Sequence, residues 1–126
     1  MTVLDASALL AYLHGEPGAP VVREALMSDA LVSAVNLAEA LAKLTDEGHD
    51  PEDVMDRIEP LPFDVVPFDE AQALESALLR ATTATAGLSL GDRACLAVAR
   101  KVGRRVLTTD RAWRGLVPGL EVELIR

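Results

Sequence analysis

Four carboxylates in this 126-residue chain stand where an acid can do chemistry: Asp5, Glu39, Asp92 and Asp110. Asp5 follows the short apolar run of "TVLDAS", and Asp110 follows "VLTT", so both fall at the C-terminal ends of expected strands. Asp92 opens "DRACLAVAR", where Cys95, Leu96 and Ala99 come three, four and seven places later and share its helical face. A lone carboxylate on a face that packs into a core is costly unless it is paired or bound to a cation. Glu39 sits in "VNLAEALAKL", a helix apolar on nearly all sides, with Asn36 and Lys43 three and four places away.

Each acid also has a purely structural reading. Asp5 and Asp110 can N-cap the helix that follows. Asp92 suits a first helical turn, where the helix dipole favours negative charge. Glu39 and Lys43 can form an ordinary surface ion pair. If the four acids converge instead, mutual repulsion raises some of their pKa values. A hard divalent cation relieves that repulsion. Mg²⁺ or Mn²⁺ takes oxygen ligands and keeps several waters. His14 and His49 lack ligand-like spacing to each other or to Cys95, which argues against zinc. Carboxylate-held Mg²⁺ suits phosphodiester cleavage, because it acidifies a water and offsets charge in the transition state.

The elements that must bring these acids together alternate. Strands are expected at "TVLD", "ALVSA", "FDVVPF", "RRVLTT" and "LEVELI". Helices are expected at "ASALLAYL", over 20–28, at "VNLAEALAKLTDEG", at "DPEDVMDRIEP", at "DEAQALESALLRATTA" and from Leu90 to about Val102, with a short turn at "DRAWRGL". Asp50 before Pro51 reads as an N-cap with proline in the first turn. Such alternation predicts an α/β fold, a three-layer α/β/α sandwich around a mainly parallel sheet. Right-handed crossovers place the strand C-termini on one edge, where such sheets bind ligands. The length suits one domain spanning 1–126.

Half the residues are hydrophobic and only 3% are aromatic, so the core is expected to be Ala, Leu and Val. The single cysteine excludes an internal disulfide. No apolar run approaches the roughly 18 residues of a membrane span, and "MTVLDAS" lacks a signal-peptide core. A cytoplasmic location is therefore expected. The formal charge of −8 speaks against a nucleic-acid partner until its distribution is considered. Residues 93–114 hold seven cations and one acid, a net +6, whereas residues 46–70 hold ten acids and one cation. The basic segment either meets an anion or is simply a solvated face.

Taken in order, "VLDASALLAYL", "SAVNLAEALAKL", "GLSLGDRACLAVAR" and "VLTTDRAW" resemble a PIN-domain ribonuclease of the VapC type, the toxin half of a VapBC toxin–antitoxin pair. No single motif is specific; the ordered set is, and it runs from Thr2 to Arg126. The resemblance implies a metal-dependent endoribonuclease, with Asp5 and Asp92 as the firmest Mg²⁺ ligands (Mn²⁺ as the alternative) and Glu39 and Asp110 completing the site. Ser7 matches a small hydroxyl position that assists the first Asp, and Thr109 precedes the last Asp; both also suit helix-capping roles. Some relatives carry another acid two places after the last Asp, where this chain has Ala112, which offers no ligand to a second metal. Trp113 next to it reads as a core anchor ahead of a base-stacking platform. Arg93, Arg111 and Arg114 flank the acidic motifs and are expected to bind RNA phosphates. The resemblance further implies a homodimer and a cognate VapB-like antitoxin that covers the groove.

Two other classes compete. One is a non-catalytic PIN-like binding module, although the presence of all four acids counts against decay. The other is an Asp-nucleophile phosphoryl-transfer domain. A haloacid-dehalogenase-type site wants an Asp at position 7, where Ser7 stands, and a receiver domain wants a strand-end lysine, whereas Lys101 falls inside a helix.

Overall fold

The computed structural model describes residues 1–126. Five strands, β1 (Thr2–Leu4), β2 (Ala30–Ser33), β3 (Phe63–Val66), β4 (Val106–Thr108) and β5 (Val122–Leu124), form one sheet in the order β3-β2-β1-β4-β5. Every pairing is parallel, so the mainly parallel sheet expected from the sequence is wholly so. The helices are α1 (Ala6–His14), α2 (Ala19–Ser28), α3 (Ala34–Asp46), α4 (Pro51–Ile58), α5 (Glu70–Thr83) and α6 (Leu90–Val102).

Helix boundaries follow local chemistry. Asp5, Ser33, Asp50, Asp69 and Ser89 each accept a backbone N–H in the first turn of the helix they precede. Gly15 and Gly103 end α1 and α6 in the left-handed conformation that glycine adopts at least cost.

Side chains alternate across the sheet with the strand period of two. Val3, Leu31 and Val106 join one apolar cluster with Leu79, Leu96 and Trp113. Their neighbours Leu4, Ala30, Val32 and Leu107 join another with α1 and α2. Both faces are therefore covered, giving the α/β/α sandwich. A third cluster, Leu9, Ala40, Leu44, Val54 and Ile58, binds α1, α3 and α4 to each other.

α6 is the most enclosed helix. Ala94 through Ala99 are all fully buried, a wider face than the Asp92, Cys95, Leu96 and Ala99 stripe alone. It packs on α5, α3 and the sheet. Its first turn is thereby set firmly over the sheet's C-terminal edge.

The strand order also sets where a ligand belongs. The chain builds outward from β1 through β2 to β3, then returns to place β4 on the other side of β1. The order reverses between β1 and β4, and open α/β sheets bind ligands in the crevice at such a reversal.

Candidate active site

Asp5 leaves β1 at that crevice and is nearly fully buried. Its Oδ1 accepts from the Ala8 N–H at 2.8 Å, capping α1, and from the Ser7 hydroxyl at 2.6 Å. Its Oδ2 accepts from the Thr108 hydroxyl at 2.6 Å. The end of β4 completes this network. Thr109 N–H donates to Ser7 Oγ at 3.0 Å, and Asp110 N–H donates to Thr108 Oγ1 at 3.0 Å. Asp110 then caps the 3-10 turn Arg111–Trp113 through Oδ1, which accepts from Ala112 N–H at 2.9 Å.

Asp92 arrives from the start of α6. A reciprocal box holds it: Ser89 Oγ accepts from Asp92 N–H at 3.2 Å, and Asp92 Oδ2 accepts from Ser89 N–H at 3.0 Å. Glu39 arrives from α3. Its Oε1 accepts from Asn36 Nδ2 at 2.9 Å, and the same Nδ2 donates to Gly91 O on α6 at 2.9 Å. Lys43 makes no ion pair with Glu39, so the surface-pair reading of that stripe does not apply. A Cβ on Gly91 would overlap the Glu39 carboxylate, so glycine makes room for it.

All four acids line one open cavity of about 630 Å³, together with Ser7, Asn36 and Thr109. Asp5, Asp92 and Asp110 are helix or turn starters and cavity residues at once, so capping and convergence are not alternatives here. Capping occupies one carboxylate oxygen of Asp92 and one of Asp110, and Asn36 occupies one of Glu39. The second oxygen of each has no hydrogen-bond partner in the protein.

The electrostatics record the crowding. Burial, with a smaller push from Asp92, raises the Asp5 pKa to about 6 against the hydrogen bonds from Ser7, Thr108 and Ala8. Cys95 lies fully buried close by. Burial first, then the charges of Asp5, Asp92 and Glu39, push its thiol well above its ordinary value. It is a small core side chain rather than a nucleophile.

The donor set is all oxygen, which suits a hard cation. No three His, Cys, Asp or Glu side chains close into a ready ligand cluster. Mg²⁺ keeps several waters and takes only one or two carboxylates, so these acids fit it without a closed cluster.

The structure departs from the sequence reading at several residues. The hydroxyl that reaches Asp5 from β4 is that of Thr108, whereas Thr109 contributes its backbone N–H to Ser7. Arg93 turns away from the cavity, because it points about 100° round the helix from Asp92, and its Nη1 donates to Ser76 O on α5 at 3.1 Å. Arg111 and Arg114 are exposed and do not line the cavity either. The cations that do are Lys43 and Arg126, the latter paired with Glu16. Trp113 is 1% exposed within the Leu96 and Val106 cluster, which makes it a core anchor. Asn36, Gly91 and Thr108 are site residues that sequence reasoning did not select.

An all-parallel sheet brings acids from four elements to its reversal point, and the profile of the PIN-domain family matches residues 2–116. The chain belongs to the PIN-domain family. Its fold is similar to that in a toxin–antitoxin complex from Klebsiella pneumoniae, with 18% identity, a TM-score of 0.76 and coverage of 100% of this chain and 98% of the other. DNA-bound VapBC from Salmonella typhimurium gives 19% identity and a TM-score of 0.76 over 99% and 98% of the two chains. VapBC-5 from Mycobacterium tuberculosis, a member of the VapBC family of toxin–antitoxin systems, gives 24% and 0.65 over 99% and 97%. No curated protein matches the sequence significantly. No helix is long and apolar enough to cross a membrane.

Proposed function

We propose that this chain is a divalent-cation-dependent endoribonuclease, the VapC-type toxin of a VapBC toxin–antitoxin pair. The observation that carries the reading is the arrival of Asp5, Glu39, Asp92 and Asp110 from four separate elements at one cavity on the ligand-binding edge of the sheet. Membership of the PIN family and the likeness to VapBC folds support it.

Asp5 and Asp92 would hold Mg²⁺ or Mn²⁺, with Asp110 and the open oxygen of Glu39 completing the site. When bound, the cation acidifies a water and offsets charge gathering on the phosphodiester. Glu39 orients the attacking water or takes its proton, through the oxygen that Asn36 leaves open. Ser7 and Thr108 hold both oxygens of Asp5, so its carboxylate cannot swing. Attack in line on phosphorus leaves a 5′-phosphate and a 3′-hydroxyl. Lys43, at the cavity wall, is placed to meet a substrate phosphate. The surplus of acids suits an antitoxin that inserts a basic side chain. A homodimer belongs to the same reading, and the exposed Leu74 and Leu78, one turn apart on α5, supply apolar surface for it.

The test is cleavage of tRNA and rRNA fragments by antitoxin-free protein, with and without Mg²⁺, beside Asp92→Asn. Mg²⁺-dependent products bearing 5′-phosphates, lost in the variant, are expected. Cleavage that survives EDTA, or cyclic-phosphate ends, sinks the metal mechanism. RNA binding without cleavage points to a PIN-like binding module.

A further inference from the structure

We propose that Asn36 is a positioning residue that fixes the Glu39 carboxylate against the first turn of α6, and that Gly91 lacks a side chain so that the carboxylate can lie there. The inference rests on the metal-site reading above and assigns roles to two residues that reading leaves out.

Asn36 is 1% exposed on α3. Its Nδ2 faces two acceptors, Glu39 Oε1 and Gly91 O, each at 2.9 Å. Only the amide orientation that puts nitrogen there is chemically sensible, since the reverse would set three oxygens together. The two protons of one amide group thus tie Glu39 to the turn that carries Asp92. One carboxylate oxygen is committed and the other is left for the cation or its water. This sets two acids from different helices in a fixed relation.

The arrangement is poorly explained by stability. Asn36 Oδ1 is buried with no hydrogen-bond partner. A buried acceptor without a donor is unfavourable, and an apolar side chain of the same size would remove the deficit. Gly91, the second residue of α6, likewise carries more backbone entropy to lose than alanine would. Asn36 leaves a buried acceptor unpaired and Gly91 forgoes a side chain, yet both favour one placement of Glu39. That pattern marks a functional constraint.

The experiment measures Mn²⁺ affinity, by calorimetry or by the EPR signal of free Mn²⁺, together with thermal unfolding. The proteins are wild type, Asn36→Leu, Glu39→Gln and the double variant. Asn36→Leu is expected to unfold at or above the wild-type temperature while binding Mn²⁺ about tenfold more weakly, the scale of lost outer-shell support. In the Glu39→Gln background the same change is expected to have no further effect. Should leucine not fit, Asn36→Ala carries the same affinity expectations. Wild-type affinity in Asn36→Leu overturns the proposal, as does an undiminished loss in the double variant or unaltered binding by Glu39→Gln. A wild-type protein that binds no Mn²⁺ overturns the metal-site reading, and this inference falls with it.

Discussion

Thr108 Oγ1 donates to Asp5 Oδ2 at 2.6 Å, joining the ends of two neighbouring strands that lie 103 residues apart in sequence. The same oxygen accepts from Asp110 N–H, so one hydroxyl sets two of the four acids. Thr108→Val keeps the shape and removes both bonds. Stability should fall by about 1–3 kcal/mol, the cost of leaving buried groups unpaired, and Mg²⁺-dependent cleavage should fall with it. Thr108→Ser should restore most of both. Urea unfolding beside a Mg²⁺ titration checks this, and a valine variant that matches wild type in both would remove the proposed role.

The raised pKa of Asp5 makes stability depend on pH in a direction unusual for a carboxylate. The metal-free folded state holds the proton up to about pH 6, whereas the unfolded chain releases it near 3.8. The folded state therefore binds more protons in that window, and stability is lost as pH rises through it. The contribution is on the order of 3 kcal/mol. Asp5→Asn has no such group, so its advantage over wild type should grow from pH 4 to pH 6 and then level off. Denaturant midpoints of the two proteins in EDTA across that range measure it; parallel curves would contradict the raised pKa.

Gly91→Ala should separate folding from activity. Alanine favours the helix by up to about 1 kcal/mol, and the atoms it meets are the far end of the flexible Glu39 side chain. The carboxylate moves aside and the helix stays. Unfolding should shift little, while RNA cleavage falls at least tenfold, the scale of a lost supporting interaction. Strong destabilisation would show that Glu39 is more tightly held than its exposure suggests.

Trp113 is the only tryptophan and lies fully buried against the α6 core. Its emission should be blue-shifted when folded and should report global unfolding. Trp113→Ala should cost about 3–5 kcal/mol. Trp113→Phe should cost less, because the indole Nε1 has no partner to lose. Quenching by added RNA would instead require the ring to leave the core.

The fold is legible in the sequence, because the alternation of short apolar runs with helices specifies a parallel sheet. The strand-end acids lie at the edge where such sheets bind ligands. What stayed hidden depends on direction rather than residue type. "VLTT" offers two adjacent hydroxyls, and neighbouring strand residues face opposite sides. Only the β1–β4 register, with Leu4 opposite Leu107, sets Thr108 beside Asp5. Arg93 adjoins Asp92 in sequence but sits on another helical face, so the basic segment of 93–114 does not form one surface at the cavity. Arg126 reaches the cavity because the chain after β5 runs on beside the end of β4, with Ile125 N–H bonded to Thr108 O at 3.1 Å. No local pattern encodes that pairing.

Three of the four acids also start a helix or turn, and this changes what an inactivating substitution does. Asparagine can still accept the backbone N–H that each carboxylate holds, Ala8, Ser89 or Ala112, whereas alanine cannot. Replacing Asp5, Asp92 or Asp110 with alanine is therefore expected to remove a cavity carboxylate and loosen a segment end together, so that lost activity would be confused with lost protein. Asparagine at the same positions is expected to leave the protein folded while removing the charge. The route by which this chain could fall silent without unfolding is accordingly narrow.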